Sequence, residues 1–522
     1  MKLYRPILGV LFLIMLGAPA GYSQQLRTVQ VRTANGIVEG VISPDGKVRT
    51  FKGIPYAAPP VGSLRWRAPQ PALSWAGVRR TVDYPPRAMQ GRIYDDMVFN
   101  DNGPSEDCLY LNLWMPEIPS PVKLPVMVWI HGGGFVAGSS SEPRQDAGNL
   151  SKKGVLVVSF NYRMGVFGFF THPELTKESG HNASGNYGLL DQIAALEWVR
   201  QNIAAFGGDP GNVTVFGESA GSESISALMA SPLAQGLFCR AIGESGAFLK
   251  DNPPLLSRAD AETACAQFAD LSFGTSSLEA LRALPAQTIL AAALRCSTEY
   301  FRPIVDGYVL PVDWISIYAT GRQSHIPLLA GWNRDEGYFE SYFGKDQPNA
   351  VNYIMHARSR FGQNSETFLK LYPASTDAQA RRAAQDIDAD QDGVHGIWKW
   401  IELHLKTGGS PVFRYEFDQT LPLPANSSPG TEPQARHASE IEFVFQVLSS
   451  KNLPWRPDDY AVSDLMASYW TNFAKTGNPN GPGLPRWPAY GPQDGYQVMH
   501  LKANPAAAPD EHRARYEFLD RL

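Results

Sequence analysis

Three short runs, Val126 to Ile130, Val155 to Phe160 and Val213 to Phe216, are apolar at almost every position. A strand with one solvated face alternates apolar and polar residues, because successive side chains point to opposite faces. Runs without that alternation are expected where both faces are buried, as in a parallel sheet covered by helices. Between the second and third runs, Asn186 to Phe206 carries Leu189, Leu190, Ile193, Leu196 and Ile203 on one helical face and stops at Gly207-Gly208. Strand, helix and strand in succession predict helices on both faces of one sheet.

The rest of the chain fits around that centre. From Leu26 to Lys52, alternating stretches broken by Asn35-Gly36 and Asp45-Gly46 predict antiparallel hairpins at a sheet edge. The Pro-rich stretch from Pro55 to Pro86 predicts a long covering loop, and Leu421 to Gln434 another loop. Ile326 to Ala330, Val412 to Phe417 and Tyr496 to Leu501 are further strand candidates, separated by helical insertions such as Asp377 to Lys406. With no internal repeat and no low-complexity linker, one large domain over residues 24–522 is expected.

The 522 residues are 43% hydrophobic and 19% charged, enough for a large core and inconsistent with disorder. A net charge of −5 with no basic block argues against nucleic acid as a partner. Four cysteines exclude a disulfide scaffold. At the N-terminus, Lys2 and Arg5 precede an apolar run from Ile7 to Leu16 and the small residues Ala18-Pro19-Ala20, the grammar of a cleavable export leader over residues 1–23. A periplasmic or secreted protein without stable membrane insertion is expected, since no later apolar run is long enough to span a bilayer.

Gly217-Glu218-Ser219-Ala220-Gly221 follows the strand Val213 to Phe216 and precedes a plausible helix from Ser222 to Met229. A serine between two glycines on a strand-to-helix turn can be held in a strained backbone with its hydroxyl exposed, which makes Ser219 the nucleophile candidate. His131-Gly132-Gly133-Gly134-Phe135 sits just past the strand ending at Ile130, where successive glycines leave amides free to face a developing oxyanion. Gly133, Gly134 and the N–H of Ala220 are the expected donors. A serine hydroxyl needs a base oriented by an acid. Of the six histidines beyond Ile326, His437 lies in a loop after the strand Val412 to Phe417, whereas His395 and His404 fall in helical stretches. The acid is expected soon after Ala330, where Asp335 and Glu336 fit equally well on spacing.

These strings, with others, make the chain resemble the type-B carboxylesterases, the family that also holds cholinesterases and neuroligin adhesion proteins. The match is nearly full length: FKGIPYAAPP at Phe51 to Pro60, SEDCLYLNLW at Ser105 to Trp114, HGGGF, and NYRMGVFG at Asn161 to Gly168. It continues with SGNYGLLDQ at Ser184 to Gln192, FGGDP at Phe206 to Pro210, GESAG, Asp335 to Gly337, HASEIEFVF at His437 to Phe445, and YWTNFAKTGNPN at Tyr469 to Asn480. The resemblance implies an α/β-hydrolase fold, with a large, mostly parallel central sheet, an N-terminal antiparallel edge and helices on both faces. It implies Ser219 as nucleophile, His437 as base, Glu336 as the acid, and Glu218 and Ser245 as groups that steady the site. The implied activity is hydrolysis of a small apolar or aromatic ester through an acyl-enzyme.

Three departures from the family pattern stand out. Ala88 occupies a usual cysteine position, leaving Cys108 without its family partner; Cys239, Cys265 and Cys296 have no family pairing, and Cys265 with Cys296 forms either a bridge or two buried thiols. No tryptophan lies between Ala88 and Cys108, which disfavours a choline ester. Ser222 follows GESAG where relatives commonly carry Gly or Ala. Trp332, Tyr338 and Phe339 beside the proposed acid suit either an apolar substrate or core packing. No cofactor and no metal are expected, because the chain has no HExxH, no P-loop and no dinucleotide fingerprint in the required setting. A lipase, amidase or lactone hydrolase could use the same residues, and a non-catalytic binding protein is the alternative from another class. The sequence does not speak to oligomeric state.

Overall fold

The computed structural model describes residues 27–117, 122–249, 255–428 and 430–522. The export leader expected at residues 1–23 therefore lies outside the described residues. In chain order the strands are β1 (Thr28–Arg32), β2 (Ile37–Ile42), β3 (Val48–Pro55), β4 (Val78–Arg80), β5 (Arg87–Ala88), β6 (Pro104–Ser105), β7 (Tyr110–Pro116) and β8 (Leu124–Ile130). They continue with β9 (Leu156–Phe160), β10 (Gly208–Glu218), β11 (Arg240–Glu244), β12 (Leu328–Asn333), β13 (Val412–Phe417), β14 (Gln497–Leu501) and β15 (Ala506–Pro509).

One sheet runs in the order β1-β2-β3-β7-β9-β8-β10-β11-β12-β13-β14-β15, with β4 beside β2. From β9 to β14 every pairing is parallel, while β1, β2, β3 and β7 on one side and β15 on the other pair antiparallel. This is the α/β-hydrolase arrangement, with the expected antiparallel N-terminal edge.

The apolar runs behave as their composition requires. In β8, Val126, Val128 and Ile130 enter a core on one face, whereas Met127 and Trp129 enter a second core on the other. All five are fully buried, and each such side chain contributes about 2 kcal/mol through removal from water. Helices Tyr187–Asn202 and Ala220–Ala230 supply residues to the first core, and Pro457–Thr476 to the second. The helix expected from Asn186 tightens into a 3-10 turn at Ile203–Phe206 and ends on Gly207 with φ of 84°. A buried bidentate pair between Arg163 and Asp191, at 2.7 Å through both contacts, ties NYRMGVFG to SGNYGLLDQ. Two of the separated family strings thus meet at one ion pair.

Several expectations need correction. The stretch from Pro55 to Pro86 is not only loop: Gly62–Leu64 forms a 3-10 turn, and Val78–Arg80 pairs with β2. Asp377 to Lys406 is two helices, Asp377–Ala389 and His395–Gly408, joined by a π turn at Asp390–Val394. Strands β7 and β11 were not anticipated, because Asn112, Arg240 and Glu244 interrupt their apolar character. All four cysteines are free, so Cys265 and Cys296 form no bridge. Ala88 and Cys108 line the same small cavity. A third apolar cluster, built by Tyr342, Tyr353, Phe361, Phe368, Tyr372 and Ile387 among others, is separate from both sheet cores. Among the described residues no helix is long and apolar enough to cross a membrane.

Candidate active site

The chain leaves β8 for one neighbour, β9, and returns to build the other, β10. Such a reversal opens a crevice at the carboxyl ends of the strands. The loop after β8 carries the three glycines, and the turn after β10 carries Ser219.

Ser219 has φ of 54° and ψ of −124°, a conformation that costs a non-glycine residue on the order of 1–3 kcal/mol. Its neighbours explain how the turn is tolerated. A Cβ on Gly221 would lie 1.9 Å from the carbonyl oxygen of Ile130, and one on Gly246 would lie 2.2 Å from that of Ser219. Only glycine permits these crossings. The turn is pinned by Ser219 N–H donating to the Glu244 carbonyl at 2.8 Å and by Glu223 N–H donating to the Ser219 carbonyl at 2.9 Å.

The glycine loop packs directly on this turn, for a Cβ on Gly132 would meet the Ser219 Cβ at 2.9 Å. Gly133 and Gly134 have φ of 104° and 60°, and Phe135 follows at 61°. The Gly133 carbonyl accepts from Val136 and Ala137, both at 3.0 Å, while the amides of Gly133 and Gly134 have no backbone acceptor among the described residues. Ala220 opens the helix Ala220–Ala230, so its N–H has no acceptor within that helix. His131 is not a base candidate: it is buried, stacked on Tyr162, and burial pushes its imidazole down to about 4.

His437 Nδ1 lies 2.6 Å from Glu336 Oε2, and its Nε2 lies 3.1 Å from Glu218 Oε1. Desolvation depresses the imidazole pKa, but the charges of Glu336 and Glu218 outweigh it and hold the value well above the ordinary one. Glu218 is buried, which pushes its carboxyl above the ordinary value, while the facing imidazole pulls it back. Asp335 and Glu336 point in different directions. Asp335 turns away to Arg334 at 2.8 Å, Arg382 at 2.5 Å and the Ala435 amide at 2.8 Å. Glu336 keeps one oxygen on the Asn333 amide at 3.0 Å and presents the other to His437.

Two residues that sequence reasoning missed complete the frame. Glu440, three residues after His437, receives Asn333 Nδ2 at 2.5 Å and Ser245 Oγ at 3.4 Å. Burial pushes its carboxyl up to about 7. Asn333 Nδ2 also donates to the Arg436 carbonyl at 2.7 Å, so it ties the end of β12 to the His437 loop. Ser245, at φ of 53°, thus meets Glu440, which Asn333 joins to the carbonyl of Arg436 next to His437. The sequence signal was a pair of carboxylates, Glu440 and Glu442, in the otherwise largely apolar segment after His437, and spacing alone did not single out Glu440. Tyr94 was also missed; its hydroxyl would lie 2.8 Å from a Cβ on Gly134, in the region where no tryptophan occurs.

Of the aromatics beside Glu336, Trp332 is core: it is 3% exposed, meets Tyr516 edge-to-face and lies under the Arg414 guanidinium. Tyr338 is exposed, under Arg436. One helical turn beyond Ser219, Glu223 borders a cavity of about 520 Å³ lined also by Phe169, Phe248, Tyr300 and Arg302.

Comparison with known proteins places the chain in a family. The model of the Carboxylesterase family matches residues 27–519. A fumonisin B1 esterase of Sphingopyxis macrogoltabida is 36% identical over 88% of this chain and 84% of its own length. A para-nitrobenzyl esterase of Bacillus subtilis (strain 168) is 38% identical over 88% of this chain and 92% of its own. A solved PNB esterase structure superposes with a TM-score of 0.78 at 35% identity, covering 94% of this chain and 99% of that one. The chain belongs to the carboxylesterase family and is a carboxylic ester hydrolase.

Proposed function

We propose that ester hydrolysis proceeds through Ser219, His437 and Glu336 and a covalent acyl-enzyme. His437 takes the proton of Ser219 Oγ as that oxygen attacks the ester carbonyl, and Glu336 stabilises the resulting imidazolium. The amides of Gly133, Gly134 and Ala220 hydrogen-bond the tetrahedral oxyanion; one such donor is typically worth about 10²- to 10³-fold in kcat. The alcohol leaves with the proton from His437, and water activated by the same imidazole then releases the acid. The observation that carries this reading is the 2.6 Å contact between His437 and Glu336 on loops bordering a serine held at positive φ.

The substrate is an apolar or aromatic ester, one part of which occupies the cavity bordered by Phe169, Phe248 and Tyr300. No cofactor or metal enters any step. Glu218 and Ser245 steady the site, the latter through Glu440. The protein works outside the cytosol, as a single domain, after loss of the leader at residues 1–23.

The test is hydrolysis of short- and long-chain p-nitrophenyl esters by the mature protein and by Ser219→Ala, with mass spectrometry after an organophosphate. Turnover lost in the variant, with the adduct on Ser219, is the expected result. A folded wild type that neither turns over nor labels overturns the proposal.

A further inference from the structure

Phe135, the residue that closes the glycine loop, is fully buried with φ of 61°. A phenylalanine does not rest there unaided. Its ring stacks on Phe248 at 5.4 Å and 16°, and meets Phe169 edge-on at 5.4 Å; Phe248 in turn stacks on Trp314 at 4.3 Å. The carbonyl of Phe135 accepts from the Gly165 amide at 2.6 Å.

Over this aromatic pair lies the guanidinium of Arg302, its carbon 5.7 Å from the ring centres of both Phe135 and Phe248. Two carboxylates fix its plane. Arg302 Nη2 donates to Glu223 Oε2 at 2.7 Å, and Nη1 pairs with Glu299. Glu223 belongs to the helix that starts at Ser219, and its own amide donates to the Ser219 carbonyl. Arg302 therefore bridges the nucleophile's helix and the ring that ends the oxyanion loop. A guanidinium suits this position better than an ammonium, because it stacks flat on rings while donating in its own plane.

We infer that Arg302 is a positioning residue for ester hydrolysis, which locks the register between the Gly133–Gly134 amides and Ser219 through Phe135 and Glu223. The inference rests on the proposed roles of Ser219 and the glycine loop. Its chemistry follows from where the strain sits: a shift of a fraction of an ångström at Phe135 moves the amides relative to the oxyanion. Because Arg302 also lines the cavity beside Phe248 and Tyr300, the split between kcat and KM separates positioning from substrate contact.

The experiment compares wild type, Arg302→Met, Arg302→Lys and Glu223→Gln on p-nitrophenyl esters. Rates are normalised to active sites titrated with an organophosphate, and affinity is measured for an alkylboronic acid that mimics the tetrahedral intermediate. Arg302→Met is expected to lose about 10- to 50-fold in kcat per titrated site with KM within twofold, and to lose boronate affinity in parallel. Arg302→Lys should recover part of the loss, and Glu223→Gln should show a smaller loss of the same kind even if Arg302→Met folds poorly. A purely structural role would reduce the titrated fraction and leave kcat per site unchanged, and that result overturns the inference. So does a rise in KM at unchanged kcat, which would put Arg302 on the substrate. A wild type that neither hydrolyses nor labels overturns the proposed mechanism first, whereas an active wild type with unaltered variants overturns this inference alone.

Discussion

The Nε2 of His437 lies 3.1 Å from a carboxylate oxygen of Glu218, the residue immediately before the candidate nucleophile. The same imidazole is held from its other side by Glu336 at 2.6 Å, so it sits between two acids. Both favour its protonated form, which is useful in the transition state and inhibitory before it.

Removal of one charge should therefore move the acid limb of the rate profile. In the proposed mechanism His437 must be neutral to accept the Ser219 proton, and Glu336 and Glu218 raise its pKa well above the ordinary value. Glu218→Gln lowers that pKa, so kcat/KM should persist to lower pH, while plateau kcat falls about tenfold with the loss of imidazolium stabilisation. A kcat/KM profile across pH 4–9 checks this, and an acid limb in its wild-type position would refute it.

Neighbouring acids should separate cleanly by role. Glu336→Gln should lower kcat by about 10³- to 10⁴-fold with little change in Tm, since it presents a disfavoured partner to Nδ1. Asp335→Asn should do the reverse. Asp335 is buried and joins Arg334, Arg382 and the Ala435 amide, and breaking such a cluster costs about 3 kcal/mol. Paired kinetics and thermal melts of the two variants decide the matter.

Gly221→Ala should be poorly tolerated although it changes no functional group. Its Cβ would fall 1.9 Å from the Ile130 carbonyl oxygen and 3.1 Å from the His131 carbonyl carbon. Backbone cannot swing aside as a long side chain can, so a loss of about 3 kcal/mol and a misplaced Ser219 are expected. Yield, Tm and organophosphate labelling of the variant report on both.

Stability should fall as pH rises from about 6.5 to 8. Burial pushes the carboxyls of Glu142, Asp390 and Glu440 up to about 7. In this window the folded state holds protons that the unfolded chain releases, so unfolding is favoured by alkali. Below the ordinary histidine value of 6.5, His131, His404 and His512, all held near 4, pull the other way. Calorimetric melts in one mixed buffer should show a lower Tm at pH 8 than at pH 6.5, with Asp390→Asn flattening the slope.

Reducing agent should leave the Tm unchanged, because Cys108, Cys239, Cys265 and Cys296 are all free thiols. Thiol titration of the unreduced, denatured chain should count four. A count of two would establish a bridge.

What could be read in the sequence was what depends on neighbours along the chain. The doubly buried strands β8, β9 and β10 announce themselves because residues facing both cores must be apolar. Ser219 and the glycine loop are likewise local, since a positive φ and a close backbone crossing select glycine whatever surrounds them. Asp335 and Glu336 could not be told apart by spacing, because Arg334 and Arg382 decide which carboxylate turns away. Glu440 and Arg302 were missed for the same reason: their meaning lies in contacts with Asn333, Ser245, Phe135 and Glu223, most of them remote in the chain. Trp332 shows the converse, an aromatic beside a functional residue that belongs to the core.

The third apolar cluster has an interior of its own, distinct from the two layers that hold Ser219 in place. The helices Ala350–Phe361 and Ser365–Leu371, whose buried residues face this cluster, can therefore be varied as a module. Variation there is decoupled from the precision of the nucleophile turn, so laboratory evolution of substrate range can accumulate changes in this segment while the glycine crossings at Gly221 and Gly246 stay invariant.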